Sequence, residues 1–144
     1  MFSKKPIVSK SDEARLIKAI QLAELKTSGE IRVHIEKTCK GDIIEACKKK
    51  FEELKMHETK DRNAILFFLA AGSKAFAVWG DEGIHQKVSN EFWKSITDCA
   101  IGYFKQNDLI TGLEKSIEMC GEKLQLYFPI EADDKNELSN EISY

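Results

Sequence analysis

No apolar stretch in this 144-residue sequence is long enough to cross a bilayer; the most hydrophobic run covers only residues 64–71, against about 20 for a spanning helix. The first ten residues hold lysines and Pro6 but no hydrophobic segment, so neither a signal peptide nor a membrane span is read, and a cytoplasmic location is expected. Charge of one sign is lacking too. The 22 Lys and Arg against 24 Asp and Glu leave a net charge of −2, which gives no field to draw in nucleic acid, so none is expected as a partner. Cys39, Cys47, Cys99 and Cys120 form no C-x-x-C pair, which argues against a thiolate zinc site and a disulfide framework. Buried, reduced thiols are expected instead. The three histidines show no His-x-x-x-His spacing, so zinc has no signature either. His34 falls on the wetter face of a strand, His57 in a loop and His85 at a helix start, all read as surface or half-buried positions. Trp79, Trp93 and the Phe67-Phe68 pair sit in periodic apolar stretches and read as core.

The length suits one domain. Residues 1–8 read as an N-terminal extension, 9–130 as the domain and 131–144 as an acidic tail, expected either to be disordered or to pack through Leu138 alone. Leu16, Ile17, Ile20 and Ala23 recur at helical spacing behind Ser9 and Ser11. Ile31, Val33 and Ile35 then alternate with Arg32, His34 and Glu36 as a strand does. Asp42 opens a second helix with Cys47, Phe51 and Leu54 on its apolar face. The run 64–71 has no polar face and reads as a central strand, returned by Gly72-Ser73-Lys74 into an antiparallel third strand ending at Gly80. Two further helical stripes follow, the first re-capped at Ser89 or Asn90, the second capped by Asn107 or Asp108 and stopped by Pro129.

The fold expected is therefore α/β: a mixed sheet in a three-layer sandwich with about four helices. A crossover helix makes the first two strands parallel, and a hairpin makes the third antiparallel to the second. That topology brings Thr27-Ser28-Gly29-Glu30, residues 59–63 and Gly80-Asp81-Glu82-Gly83 to one end of the sheet.

Carboxylates of Glu30, Asp81 and Glu82 with the amide of Asn63 are oxygen ligands of the kind Ca²⁺ and Mg²⁺ take, so these four residues are the expected metal site. Asp81-Glu82-Gly83 lacks the spacing of an EF-hand loop, so such a site is assembled from several segments. Two structural readings stay open beside it: Glu30 pairing with Arg62, and Asp81 or Glu82 capping the helix that begins near Ile84. Were the protein a phosphatase, Asp81 would hold the metal or attack, and Arg62 would clamp the phosphoryl group. No organic cofactor is read, a protein partner is left open, and a monomer is expected.

Three spaced motifs add a family. Glu24-x-x-Thr27-Ser28-Gly29-Glu30-Ile31, Phe51-x-x-Leu54-x-Met56-x-x-Thr59-x-x-Arg62-Asn63 and Trp79-Gly80-Asp81-Glu82-Gly83-Ile84, with the later Phe128-Pro129 and Asp134-x-Asn136-Glu137-Leu138, resemble the TPM domain family in a short form without a membrane anchor. The resemblance implies an α/β sandwich with a mixed sheet flanked by helices. It also implies the calcium binding and weak acid phosphatase activity attributed to some members. Exported members usually carry a Gly-Tyr-Gly-x-Glu-like turn where this chain has Gly80-Asp81-Glu82-Gly83.

Overall fold

The computed structural model describes residues 7–131 and 136–144, which leaves Asp134 and the first six residues of the N-terminal extension outside the description. In order these are α1 (Lys10–Glu24), β1 (Glu30–Glu36), α2 (Ile43–Glu53), β2 (Ala64–Ala70), β3 (Ala75–Gly80), a short α3 (Glu82–His85), α4 (Asn90–Phe104) and α5 (Leu109–Tyr127). Ser9 caps α1 through the Asp12 N–H, Asp42 caps α2 through Ile44, and Asp108 caps α5 through Thr111. Ser89 precedes α4 without a side-chain capping bond.

Strand order is β1-β2-β3, with β1 and β2 parallel and β2 and β3 antiparallel, as the crossover and the hairpin dictate. Every residue of β2 is buried because it has a helical layer on each face. Ile65, Phe67 and Leu69 join Ile31, Val33 and Ile35 under α1, α4 and α5. Ala64, Leu66 and Phe68 face Cys47 and Phe51 of α2 on the other side. Burying each large side chain contributes about 1.5–3 kcal/mol before chain entropy is counted, so the two-sided strand anchors the fold.

Several expectations change. Residues 136–144 neither detach nor rest on Leu138 alone: Ile142 is buried in the main core, and Ser143 pairs with β1, donating to Val33 O at 2.9 Å and accepting from Ile35 N at 2.8 Å. That docking seals His34, which is fully buried rather than on a wet face. Its Nε2 lies 2.8 Å from Glu36 Oε1 and its Nδ1 2.9 Å from Ser143 Oγ. Burial holds its pKa below the ordinary value, against the pull of Glu36. The ring is therefore neutral, donating to the carboxylate and accepting from the serine. Cys47 and Cys120 are buried thiols, the former pushed up to about 12 by burial, whereas Cys39 and Cys99 are only half-buried. Trp79 and Trp93 are also half-buried, with the exposed His85 ring between them at 4.9 and 5.2 Å.

Candidate functional site

The three polar strings do meet at one sheet end. Parallel pairing sets Glu30 beside Ala64, antiparallel pairing sets Gly80 beside Ile65, and backbone bonds extend both ladders outward. Glu30 N donates to Asn63 O at 3.2 Å, Asp81 N to Ala64 O at 2.9 Å and Gly83 N to Arg62 O at 3.0 Å. Gly83 is required by this approach: a Cβ there would lie 2.4 Å from Asp61 O and 2.6 Å from Arg62 O, both rigid backbone atoms. Gly83→Ala is expected to cost about 1–3 kcal/mol in denaturant unfolding as the two loops part. A cost below a few tenths would mean that they are not held together as described.

Within that end the side chains form two groups. In the first, Thr27 Oγ1 donates to Phe128 O at 2.5 Å and accepts from Gly29 N at 3.1 Å, tying the turn before β1 to the end of α5. Asn63 Nδ2 donates to Ser28 O at 3.2 Å. The turn thus places Glu30 where the chain leaves α1, and Glu24, in the last turn of that helix, lies against it. Glu24 Oε2 accepts from Ile31 N at 3.0 Å, and Glu30 Oε1 accepts from Glu137 N at 2.6 Å. Glu30 is buried, and its Oε2 meets no donor other than a proton held by Glu24. Burial, reinforced by the charge of Glu30, raises the Glu24 carboxyl to about 8. Burial raises Glu30 too, against the hydrogen bonds from Glu137 and Leu138. Two carboxylates cannot donate to each other, so such a pair is stabilised by one proton or one cation between them. A cavity of about 220 Å³ opens onto both, with Ser28 and Asn136 among its lining residues.

The second group is an ion-pair cluster. Arg62, whose backbone sits in the left-handed region at φ 51°, donates from Nε to Asp81 Oδ2 at 2.6 Å, from Nη2 to Asp81 Oδ1 at 2.7 Å and from Nη1 to Glu82 Oε1 at 3.2 Å. Asp81 Oδ1 also caps α3 through Glu82 N at 2.8 Å. Of the structural readings, the capping by Asp81 is therefore present, while Arg62 pairs with Asp81 and Glu82 rather than with Glu30. The hydrogen bond to Asp81 raises the Arg62 pKa further above its already high value. A cleft of about 530 Å³ lies alongside, lined by Arg62, Asp81, His57, Lys48 and Trp79.

The four expected ligands thus arrive as Glu30 with Asn63 and as Asp81 with Glu82. Among the described residues no three acidic, histidine or cysteine side chains stand together as a metal cage. Glu24 stood in the sequence only as the first residue of a family motif and was not among the expected ligands. Its signal was an acid in the last turn of α1, where the helix dipole disfavours negative charge, six residues before a second acid. Lys60 N donates to Glu137 Oε2 at 3.1 Å, so Glu137 links the loop before β2 to Glu30.

Comparison with protein families matches residues 3–123 to the TPM domain. Among solved structures, the NMR structure of BA42 protein from the psychrophilic bacterium Bizionia argentinensis sp. nov. superposes with a TM-score of 0.92 at 39% identity, covering 99% of each chain. The N-terminal domain of cg2496 protein from Corynebacterium glutamicum has a TM-score of 0.66 at 12% identity, covering 99% of this chain and 93% of that one, a likeness of fold alone. No curated protein matches. Among the described residues no helix is long and apolar enough to cross a membrane.

Proposed function

We propose a function for a chain that belongs to the TPM domain family: a binding module that takes a divalent cation, Ca²⁺ or Mg²⁺, at the sheet end carrying Glu30, Asn63, Asp81 and Glu82, and that assists or regulates a protein partner. The observation that carries this reading is the pair formed by the buried Glu30 and half-buried Glu24 carboxyls, which must hold a proton or a cation between them and which opens on a small cavity. An oxygen pair of this kind fits a hard cation that keeps part of its water shell, as Mg²⁺ does, more readily than the six to eight protein oxygens of a high-affinity Ca²⁺ cage. Glu30 would anchor the ion and Glu24 would join it. Asn63, whose Nδ2 is taken up by Ser28 O, would contribute its amide oxygen. Arg62 would keep Asp81 and Glu82 in place at the rim, adding negative charge without direct ligation while the ion pairs hold. The cation would supply attraction between carboxylates that otherwise repel.

Thermal unfolding checks the site. Millimolar Mg²⁺ or Ca²⁺ is expected to raise the melting temperature of the wild type, since a ligand at about 100 times its Kd adds about 2.7 kcal/mol. The rise should vanish in both Glu30→Gln and Glu24→Gln. A rise that persists in both variants would move the cation elsewhere.

The second reading is metal-assisted phosphoester hydrolysis at Asp81 and Arg62, favoured by the 530 Å³ cleft that opens onto them. Arg62 would have to exchange its Asp81 and Glu82 partners for a phosphoryl group. Turnover of phosphate esters by the wild type and not by Asp81→Asn would support this reading. Turnover that is absent, or equal in both proteins, would remove it.

A further inference from the structure

Helix α1 and its C-cap bury one apolar row and leave two leucines of a neighbouring row uncovered. Leu16, Ala19, Ile20 and Ala23 are buried in the core. Lys18, Leu22 and Leu25 form a second row at i, i+4 and i+7, with Leu22 51% and Leu25 72% exposed. An amphipathic surface helix normally shows polar residues on that side.

The row borders a groove between α1 and α5 of about 550 Å³, with Ala19 and Ala23 among its lining residues. Small residues draw the two helices together there: a Cβ on Gly121 would stand 2.7 Å from Ala23 Cβ. The apolar surface continues past Leu25 to Ile130, 52% exposed, and both residues line the cavity over Glu24 and Glu30. The groove therefore runs into the mouth of the candidate cation site.

Its rims differ in charge. Arg15, Lys18 and Lys26 stand on the α1 side, and Glu114 and Glu118 on the α5 side. Arg15 and Glu114 bridge the groove at 3.1 Å, and Lys26 reaches Glu122 of α5 at 3.6 Å. Lys18 lies between these bridges and takes part in no ion pair among the described residues. An anionic lipid surface would call for cations on both rims. One basic and one acidic rim around an apolar floor instead match a helix that carries leucine-like residues along one face, acids along one edge and bases along the other.

We propose that the α1/α5 groove docks an amphipathic, mixed-charge helix of a partner protein. The apolar face of that helix covers Leu22, Leu25 and Ile130, an acidic residue meets Lys18, and a basic residue competes for Glu118, which Lys115, also of α5, holds at 3.6 Å in an exposed pair. This inference rests on the partner half of the function proposed above and is independent of the cation half. Loss of cation binding leaves it standing, and its failure leaves the cation site standing.

The test is an NMR titration of the full chain with three designed peptides of about four helical turns, each with leucines at i, i+3, i+4 and i+7. One carries glutamate along one edge and lysine along the other; the second has lysine on both edges and the third glutamate on both. The mixed peptide is expected to shift amides of residues 15–26 and 114–122, and to bind about tenfold more tightly than either single-sign peptide. Leu22→Glu should weaken it by at least about tenfold, the scale of one lost leucine contact. Leu25→Glu repeats the measurement if the first variant alters the melting temperature. Equal binding of all three peptides, binding untouched by both substitutions, or no shifts at millimolar peptide would overturn the proposal. So would failure of the mixed peptide together with sedimentation on phosphatidylglycerol vesicles.

Discussion

Asp81→Ala is expected to cost about 2–3 kcal/mol in urea unfolding, from a lost helix cap and lost buried, charge-assisted hydrogen bonds. Asp81 is buried, and its two oxygens hold Arg62 at 2.6 and 2.7 Å and the start of α3 at 2.8 Å. Without it the guanidinium keeps only Glu82, which is exposed. Asp81→Asn can still cap and should lose less than alanine does. If both variants unfold like the wild type, the cluster is a surface decoration and does not organise the sheet end.

The second large effect is on pH. Glu24 titrates near 8 in the folded chain against 4.5 for an ordinary glutamate, because burial and the neighbouring Glu30 both disfavour its charge. The folded state thus keeps a proton that the unfolded chain releases. The stability that this proton contributes is complete below about pH 4.5 and is lost as pH rises toward 8, a loss on the order of several kcal/mol from this pair alone. Glu24→Gln stays neutral throughout. In EDTA its stability is expected to match the wild type near pH 4.5, to exceed it by a few kcal/mol near pH 8, and to depend less on pH between. Parallel curves for the two proteins would show that Glu24 is already ionised in the folded state.

The architecture was legible because its signals are local. The unbroken apolar run of β2, the alternation of β1, the Gly72 turn and the helical stripes each follow a short period, and handedness and hairpin rules then order the sheet. Convergence of Glu30, Asn63 and Gly80-Asp81-Glu82-Gly83 at one end followed from that order alone. What lay beyond reach depends on contacts across long sequence separations. His34 reads as solvent-facing from its own strand, but its ring packs 5.1 Å from that of Phe68 and bonds Ser143 from the far end of the chain. Ile142 stands with Leu138 in a polar string too short to show a period. The division of the four candidate ligands was equally hidden: which carboxylate Arg62 takes is settled by the Asp81 cap on α3 and by Glu137 N occupying Glu30. Spacing in the sequence contains neither.

The most direct test of the cation site is a backbone NMR titration of the wild type and Glu30→Gln with Mg²⁺ and with Ca²⁺. Saturable shifts centred on Glu24, Gly29, Glu30 and Asn63, with smaller ones at the Gly80 to Gly83 rim, all absent from the variant, are the predicted result. No shifts at millimolar cation, or shifts spread over the acidic tail and unchanged in Glu30→Gln, would contradict it.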